Sequence, residues 1–288
     1  MATIKGIEAM TQRQISKAYN DALQTAIRKN RDFLKKARDV DTGKIKPPAV
    51  YTTEKQIEAW KRGYMRRAAE KSNAVQSIAD EMRVAGVNVR KRIQASMVTV
   101  YETSRKNVER LLDKTVKANL PEMSRKQIEV LLYGQGNQSA FTKIAFNRLE
   151  SNTVLQRRLR QQFSLSIQRG ETQQQLLARI RNVTGREESD AMRILRTEST
   201  HIESMAQQQT ALEHWHKTGV KPMKRWVCMF HNSRDSHIAM HGQTVGIDED
   251  FTLPSGQKIK YPGDSSAGAA EVCNCQCRME IVQGEIKG

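Results

Sequence analysis

The hydrophobic periodicity of the chain changes at one place, and this change constrains the fold more than any other feature. Before Gly219, apolar residues recur mostly at three- and four-residue spacing, which is the period of an amphipathic α-helix. After Gly219, short β-prone runs at 226–230 and 258–261 alternate with turns, and three of the six prolines lie there. The pattern predicts an α+β protein, with a long, mostly α-helical N-terminal region followed by a small α+β module over 220–288.

Capping residues and breakers divide the helical region further. Gly86 and Gly185 interrupt otherwise continuous helical patterns, and residues 133–139 form a turn-rich connector. Thr53, Ser124, Thr153 and Thr172 are candidate N-caps. The predicted helices cover 4–39, 53–82, 88–118, 124–132, 140–150, 153–170, 172–185 and 189–217.

Positive charge is concentrated in the helical region. The 48 Lys and Arg against 31 Asp and Glu give a net charge of +17. Residues 1–150 hold 30 basic and 16 acidic side chains, residues 151–220 hold 10 and 7, and residues 221–288 hold eight of each. A basic body followed by a neutral module predicts a polyanionic partner for the first two thirds of the chain.

Clusters of basic side chains at helical spacing are the candidate nucleic-acid contacts. Such groups can neutralise successive phosphates and release counterions, which drives sequence-independent binding. The candidates are Arg28, Lys29, Lys35, Lys36, Arg38, Arg66, Arg67, Arg157 and Arg158. The same clusters would also suit a solvated face or an acidic protein partner. The sequence contains no helix-turn-helix, zinc-finger or RNA-binding signature, so it does not predict base readout.

Hydropathy and cysteine usage exclude two classes of protein. No stretch approaches the roughly 18 uncharged apolar residues of a membrane span, and the N-terminus lacks the apolar segment of a secretory signal. We therefore expect neither a membrane protein nor a Sec-exported one. All four cysteines follow residue 227, three of them in the pattern C-x-C-x-C at 273–277. This clustering favours a reducing compartment with free thiols or a metal site.

The cysteines share residues 228–277 with three histidines, His231, His237 and His241. Thiolate and imidazole are the ligands that zinc prefers, and alternate positions on a strand would place the sulfurs of 273–277 on one face. The alternative is buried small hydrophobes beside a hydrogen-bonded histidine. Thiol-protease and nuclease interpretations rest on residue types alone. For Glu198, on the helix at 189–217, a structural role is favoured over a catalytic one.

Several separated motifs together resemble a known family. They are Arg196-Thr197-Glu198, Trp226, Arg234-Asp-Ser-His237, Gly242-Gln243, Phe251, Pro262-Gly263-Asp264 and Asn274-Cys-Gln-Cys277. In this order they resemble the C-terminal head-morphogenesis domain of tailed-phage minor head proteins, the phage Mu F-like family. The resemblance covers about 165–288. The chain departs from the family pattern at Gln276, where arginine is frequent, and at His231, where an acidic residue is common.

The resemblance implies a non-enzymatic minor capsid protein of a double-stranded DNA phage. Such a protein would bind the portal and other capsid proteins during procapsid assembly, contact packaged double-stranded DNA, and sit in the virion head near the portal vertex after assembly in the host cytoplasm. It also implies a basic helical region over 1–160 and a head-morphogenesis-like domain over 161–288, with helices over 172–217 before the module. The alternative is a head-carried DNA-binding effector or toxin-like enzyme, although a fused toxin would need further chain after Gly288.

Some relatives in this family carry cysteine at the position of His237, which makes a metal role more credible. The expected ligands are His237, Cys275 and Cys277, with Cys228 or Cys273 as the fourth and zinc as the metal.

Overall fold

A computed structural model describes residues 3–134, 140–231 and 233–283 of the chain. The predicted connector at 133–139 therefore lies largely outside the described residues. Helices dominate the first 218 residues. They are α1 (Ile4–Lys29), α2 (Arg31–Asp41), α3 (Glu54–Ser72), α4 (Ala74–Leu112), α5 (Arg125–Tyr133), α6 (Ala140–Glu150), α7 (Thr153–Gln168) and α8 (Gln173–Thr218). No helix in these ranges is both long and apolar enough to cross a membrane.

The C-terminal module contains short strands and two single-turn helices. They are β1 (Met223–Val227), α9 (Asp235–Ile238), β2 (Thr244–Gly246), β3 (Phe251–Thr252), β4 (Lys258–Ile259), α10 (Ala269–Val272) and β5 (Arg278–Val282). An antiparallel sheet has the order β2-β1-β5, with Trp226 opposite Met279, and β3 pairs with β4. The predicted α+β class is confirmed: long helices come first and a small strand-containing module follows.

Contacts divide the chain into two compact units. Unit 1 comprises 1–13, 91–146 and 192–288, and unit 2 comprises 14–90 and 147–191. Each unit is therefore assembled from stretches that are separated in the sequence. The predicted boundary at residue 160 marks where the family-like region begins, and it stays a prediction.

Unit 2 is a helical unit with an apolar core. Helix α2 buries Phe33, Leu34, Ala37 and Val40 on one face, and the ring of Phe33 stacks on that of Phe163 with 5.9 Å between centroids. In α4, Gly86 faces the backbone of α6, because a Cβ added to Gly86 would overlap the carbonyl of Leu149. This glycine allows two helices to approach closely and does not end a helix.

The module in unit 1 has a small core that includes sulfur atoms. On β1, Lys224 and Trp226 are buried while Arg225 is exposed, as the two-residue period of a strand dictates. Trp226 meets Phe251 edge-to-face at 5.4 Å, and the same cluster includes Cys228, Cys275 and Cys277.

Several predicted segment boundaries are wrong. The helix predicted over 4–39 is two helices, α1 and α2, and the break predicted at Gly86 lies instead at Asn73, between α3 and α4. The helices expected within 172–217 are one continuous helix, α8, since burial of residues on both sides of Gly185, such as Val183 and Ala191, outweighs the roughly 1 kcal/mol that one glycine costs. The segment 273–277 is not a strand. It is a turn between α10 and β5, in which Asn274 has a left-handed φ of 58°.

Candidate metal centre

Three of the predicted ligands converge in the module. His237 lies on α9, whereas Cys275 and Cys277 lie in the turn before β5, and all three side chains are buried. Their ligand atoms lie within 4.8 Å of one another. The Nδ1 atom of His237 is 3.4 Å from Sγ of Cys275 and 3.6 Å from Sγ of Cys277. One imidazole nitrogen therefore faces two thiols.

The other ring nitrogen of His237 has its own partner. Nε2 lies 2.8 Å from Oε2 of Glu271, a residue of α10. A carboxylate accepts a hydrogen bond from Nε2–H, which leaves the lone pair of Nδ1 directed at the sulfur atoms. The imidazole also contacts Trp226 edge-to-face, with ring centroids 5.3 Å apart. Hydrogen bonding and packing thus fix both the tautomer and the orientation of the ring.

The two thiols affect each other's ionisation. A hydrogen bond between them lowers the pKa of Cys275, and the same bond together with burial raises the pKa of Cys277. A positive guanidinium also favours ionisation of Cys275, since Arg234 lies close by and donates from Nη2 to the carbonyl of Cys273 at 2.7 Å. In the absence of a bound metal ion, the Cys275 thiol therefore loses its proton much more readily than the Cys277 thiol.

Helix α8 holds the turn that carries the cysteines. The Asn274 N–H donates to Oγ1 of Thr197 at 2.9 Å, and Oγ1 of Thr200 donates to the carbonyl of Cys275 at 2.7 Å. A longer bond of 3.4 Å joins Nη1 of Arg196 to Oδ1 of Asn274. The motif around residue 196 therefore positions the cysteine turn, which links two motifs that are almost 80 residues apart in the sequence.

Glu198, in the same motif, has a separate environment. It is almost fully buried and accepts a hydrogen bond from Oγ1 of Thr142 on α6 at 3.1 Å. Burial raises the pKa of the Glu198 carboxyl to about 7, and the hydrogen bond from Thr142 opposes this effect only in part. No contact joins Glu198 to the thiols among the described residues.

The remaining cysteines and histidines have different positions. Cys228 is buried in the same apolar cluster as Cys275 and Cys277, and its Sγ accepts a hydrogen bond from the Phe230 N–H at 3.4 Å. Cys273 is only partly buried. His237 and His241 are four residues apart, but α9 ends at Ile238, so the two histidines do not share a helical face. His241 is exposed, and its Nδ1 accepts from the Cys228 N–H at 3.1 Å, while His231 is also exposed.

The predicted nucleic-acid contacts all belong to unit 2. Eight of the nine are exposed, and Arg158 is half-buried in an ion pair with Glu187 at 3.4 Å. Lys29 pairs with Glu81, and Arg28 donates to Thr25. The other six candidates make neither an ion pair nor a side-chain hydrogen bond among the described residues: Lys35, Lys36, Arg38, Arg66, Arg67 and Arg157. Their functional assignment stays a prediction.

Sequence reasoning missed two parts of the centre. Glu271 lies 34 residues from His237, and no periodicity relates the two positions. Thr200 follows the recognised motif but was not singled out. Chemically, the centre offers two soft sulfur donors and one imidazole nitrogen in a buried site, which is a set of ligands suited to zinc.

Comparisons with known proteins address the C-terminal part of the chain. Residues 157–280 match the family model described as phage Mu protein F like protein. An uncharacterized protein of Bacillus subtilis (strain 168), YqbB, is 34% identical over 59 residues. This alignment covers 20% of the chain and 19% of that protein, so the chain spans about a fifth of the relative it matches. No solved structure matches the chain significantly.

Proposed function

Because residues 157–280 match the phage Mu F-like family model, we propose that this chain belongs to that family and is a minor capsid protein that associates with the portal during procapsid assembly. It then remains in the virion, inside the head near the portal vertex. Assembly itself takes place in the host cytoplasm. Its partners are the portal, other capsid proteins and packaged double-stranded DNA.

One observation carries the proposal: the separated motifs of the family interlock in the folded chain. Thr197 and Thr200 on α8 bind the cysteine turn, and Nδ1 of His201 lies 3.0 Å from the carbonyl of Gly263. Gly263 has a φ of 83°, and a Cβ there would crowd the His201 backbone. Residues shared with the family therefore build one structural unit, which supports transfer of the family's role in head assembly to this chain.

Unit 2 provides the surface proposed for packaged DNA. It contains 25 basic and 14 acidic side chains, a net charge of +11. Arg62, Arg66 and Arg160 border a groove of about 710 Å³. Exposed guanidinium and ammonium groups bind phosphates without distinguishing one base from another. Such binding suits a protein that contacts packaged DNA regardless of its sequence. The competing proposal is that this surface binds an acidic face of the portal.

We propose a structural role and not an enzymatic one. Glu198, Cys275 and Cys277 are the chemically distinctive groups of the family-like region, and all three are buried with partners from within unit 1. In these positions they hold segments together and do not face a substrate cleft. A toxin-like effector remains the second candidate, and the particle experiment below distinguishes it.

Reconstruction of phage heads without imposed symmetry tests the main proposal. Particles are assembled with and without this chain, and copies per head are counted by quantitative mass spectrometry. We expect a few copies per head and additional density at the portal vertex only when the chain is present. Absence from purified heads, or an even distribution over the shell, would contradict the proposal. Injection into the host with loss of host viability would instead favour the effector.

A further inference from the structure

The spacing of the three converged donors matches a tetrahedral metal site. Zinc binds sulfur at about 2.3 Å and imidazole nitrogen at about 2.0–2.1 Å, so N and S ligands at the tetrahedral angle lie about 3.6 Å apart. The two distances from Nδ1 of His237 to the sulfurs are 3.4 and 3.6 Å. Both measured distances therefore agree with a zinc ion bound by His237 and the two cysteines.

The outer contacts are those of a metal-bound histidine. Histidines that ligate zinc donate their other ring N–H to a carboxylate or a carbonyl, which orients the ring and raises its basicity. Glu271 occupies this position at Nε2 of His237, at 2.8 Å. In addition, Nδ1 of the same imidazole faces two buried thiols. A simple ion pair between Glu271 and His237 would not require this second arrangement.

Cys228 has the features expected of the fourth ligand. It is 3% exposed, and it lies in the same buried cluster as Cys275 and Cys277. The N–H of Phe230, two residues later, donates to Sγ of Cys228 at 3.4 Å, so this sulfur already accepts a backbone hydrogen bond of the kind that suits a thiolate.

Cys273, the other candidate, is less suited. It is partly exposed and ends α10, and Arg234 holds its carbonyl. We infer that Cys228, His237, Cys275 and Cys277 form a closed structural zinc site, with Glu271 as the hydrogen-bond partner that positions His237. Sγ of Cys228 is not among the three ligand atoms that lie within 4.8 Å of one another, so Cys228 completes the tetrahedron only after its side chain rotates toward the ion.

The site joins three segments that secondary structure leaves loosely connected. Cys228 follows β1, His237 lies on the single-turn helix α9, and the two other cysteines precede β5. The strands of the module have only two to five residues. Small modules of this kind gain much of their folding free energy from a structural metal. The inference is independent of the proposed role in head assembly.

Metal content of the full-length protein tests the inference. Protein purified without chelators from cells supplied with zinc is analysed by elemental mass spectrometry. We expect about one zinc per chain, and after replacement by cobalt alone, an absorption spectrum with sulfur-to-cobalt charge-transfer bands and tetrahedral d–d bands. Essentially no zinc together with no tetrahedral cobalt spectrum in fully reduced protein would overturn the inference. So would a native disulfide between any two of the four cysteines.

Matched variants test the individual assignments. Cys228→Ser should lose the metal, while Cys273→Ser, the control with the same chemical change, should retain it. The reverse result would overturn the assignment of Cys228. Glu271→Gln should keep the same cobalt spectrum but weaken zinc affinity about 10- to 100-fold in competition with a chromogenic chelator. An unchanged affinity would remove Glu271 from the site, and this variant remains informative if a cysteine variant fails to fold.

Discussion

Two glutamates in unit 1 show how strongly the surroundings of a carboxyl group determine its role. Glu271 is partly exposed and faces an imidazole nitrogen, where a negative charge is useful. Glu198 is almost fully buried, and among its described contacts Thr142 is the hydrogen-bond donor. An uncompensated charge in such a place is unfavourable, so the Glu198 carboxyl prefers its neutral form near neutral pH.

We predict that Glu198→Gln stabilises the protein at pH 8. The pKa of Glu198 is about 7 in the folded chain against about 4.5 when unfolded, so unfolding between these values releases a proton and stability falls as pH rises. The amide avoids this loss, which amounts to roughly 3 kcal/mol. Urea unfolding at pH 5 and pH 8 should show the variant gaining on the parent protein at pH 8. The exposed Glu129→Gln should show no such gain, and an equal gain would contradict the assignment.

The ligands of the candidate centre could be predicted from residue type and family resemblance, but their partners could not. Thiol and imidazole groups are distinctive in a sequence, and the two cysteines, Cys275 and Cys277, are separated by a single residue in the pattern C-x-C, with His237 as the third ligand. Glu271 is one of many glutamates, and its approach to His237 depends on how α9 and α10 pack. Thr197 likewise positions the cysteine turn by accepting a hydrogen bond from the Asn274 N–H, and no local sequence pattern predicts this contact.

At the scale of elements, two of the errors in the predicted helices occur at glycines. Gly86 and Gly185 both interrupt a helical pattern, and both lie inside continuous helices, α4 and α8. Their reasons differ: Gly86 lies against the Leu149 carbonyl, whereas nothing lies within 4 Å of a Cβ built at Gly185. Sequence cannot separate the two cases, because the distinction lies in which other helix packs there. Caps were predicted better, since the Thr53 and Ser124 capping boxes are local.

Replacement of each glycine by alanine should therefore have opposite effects. Gly86→Ala should destabilise the protein by about 1–3 kcal/mol, because the added methyl group pushes α4 away from α6. Gly185→Ala should stabilise it by about 0.5–1 kcal/mol, because alanine is the better helix former and meets free space. Thermal unfolding of the two variants beside the parent protein measures both changes. Equal effects of the same sign would show that the close approach at Gly86 is wrong.

At the scale of the whole molecule, both units are positively charged, and unit 2 carries the larger share of the charge. Unit 2 has a net charge of +11 and therefore unit 1 has +6 of the total +17. The excess of unit 2 persists although several of its basic groups are paired, for example Arg148 with Asp190 and Arg90 with Glu150. Lys35, Lys36 and Arg38 on α2 have no ion-pair partner in the part of the chain that the structure describes. This cluster was predictable from sequence because the three residues follow the exposed face of one helix.

The final prediction is that the full chain binds duplex DNA without sequence preference, and that α2 supplies part of the contact. If roughly six phosphates are neutralised, raising salt from about 50 to about 200 mM should weaken binding by around three orders of magnitude. Replacing Lys35, Lys36 and Arg38 by Gln should reduce the slope of log affinity against log salt from about −5 to about −3, because each lost phosphate contact removes about 0.9. The control replaces Arg225, Lys258 and Lys260, three exposed basic residues of unit 1, by Gln. Because both variants lose three charges, a general electrostatic effect would flatten both slopes equally and would contradict a specific surface on unit 2. Weak DNA binding by the parent protein at low salt, with portal binding that the α2 variant loses, would instead assign the basic face to an acidic protein partner.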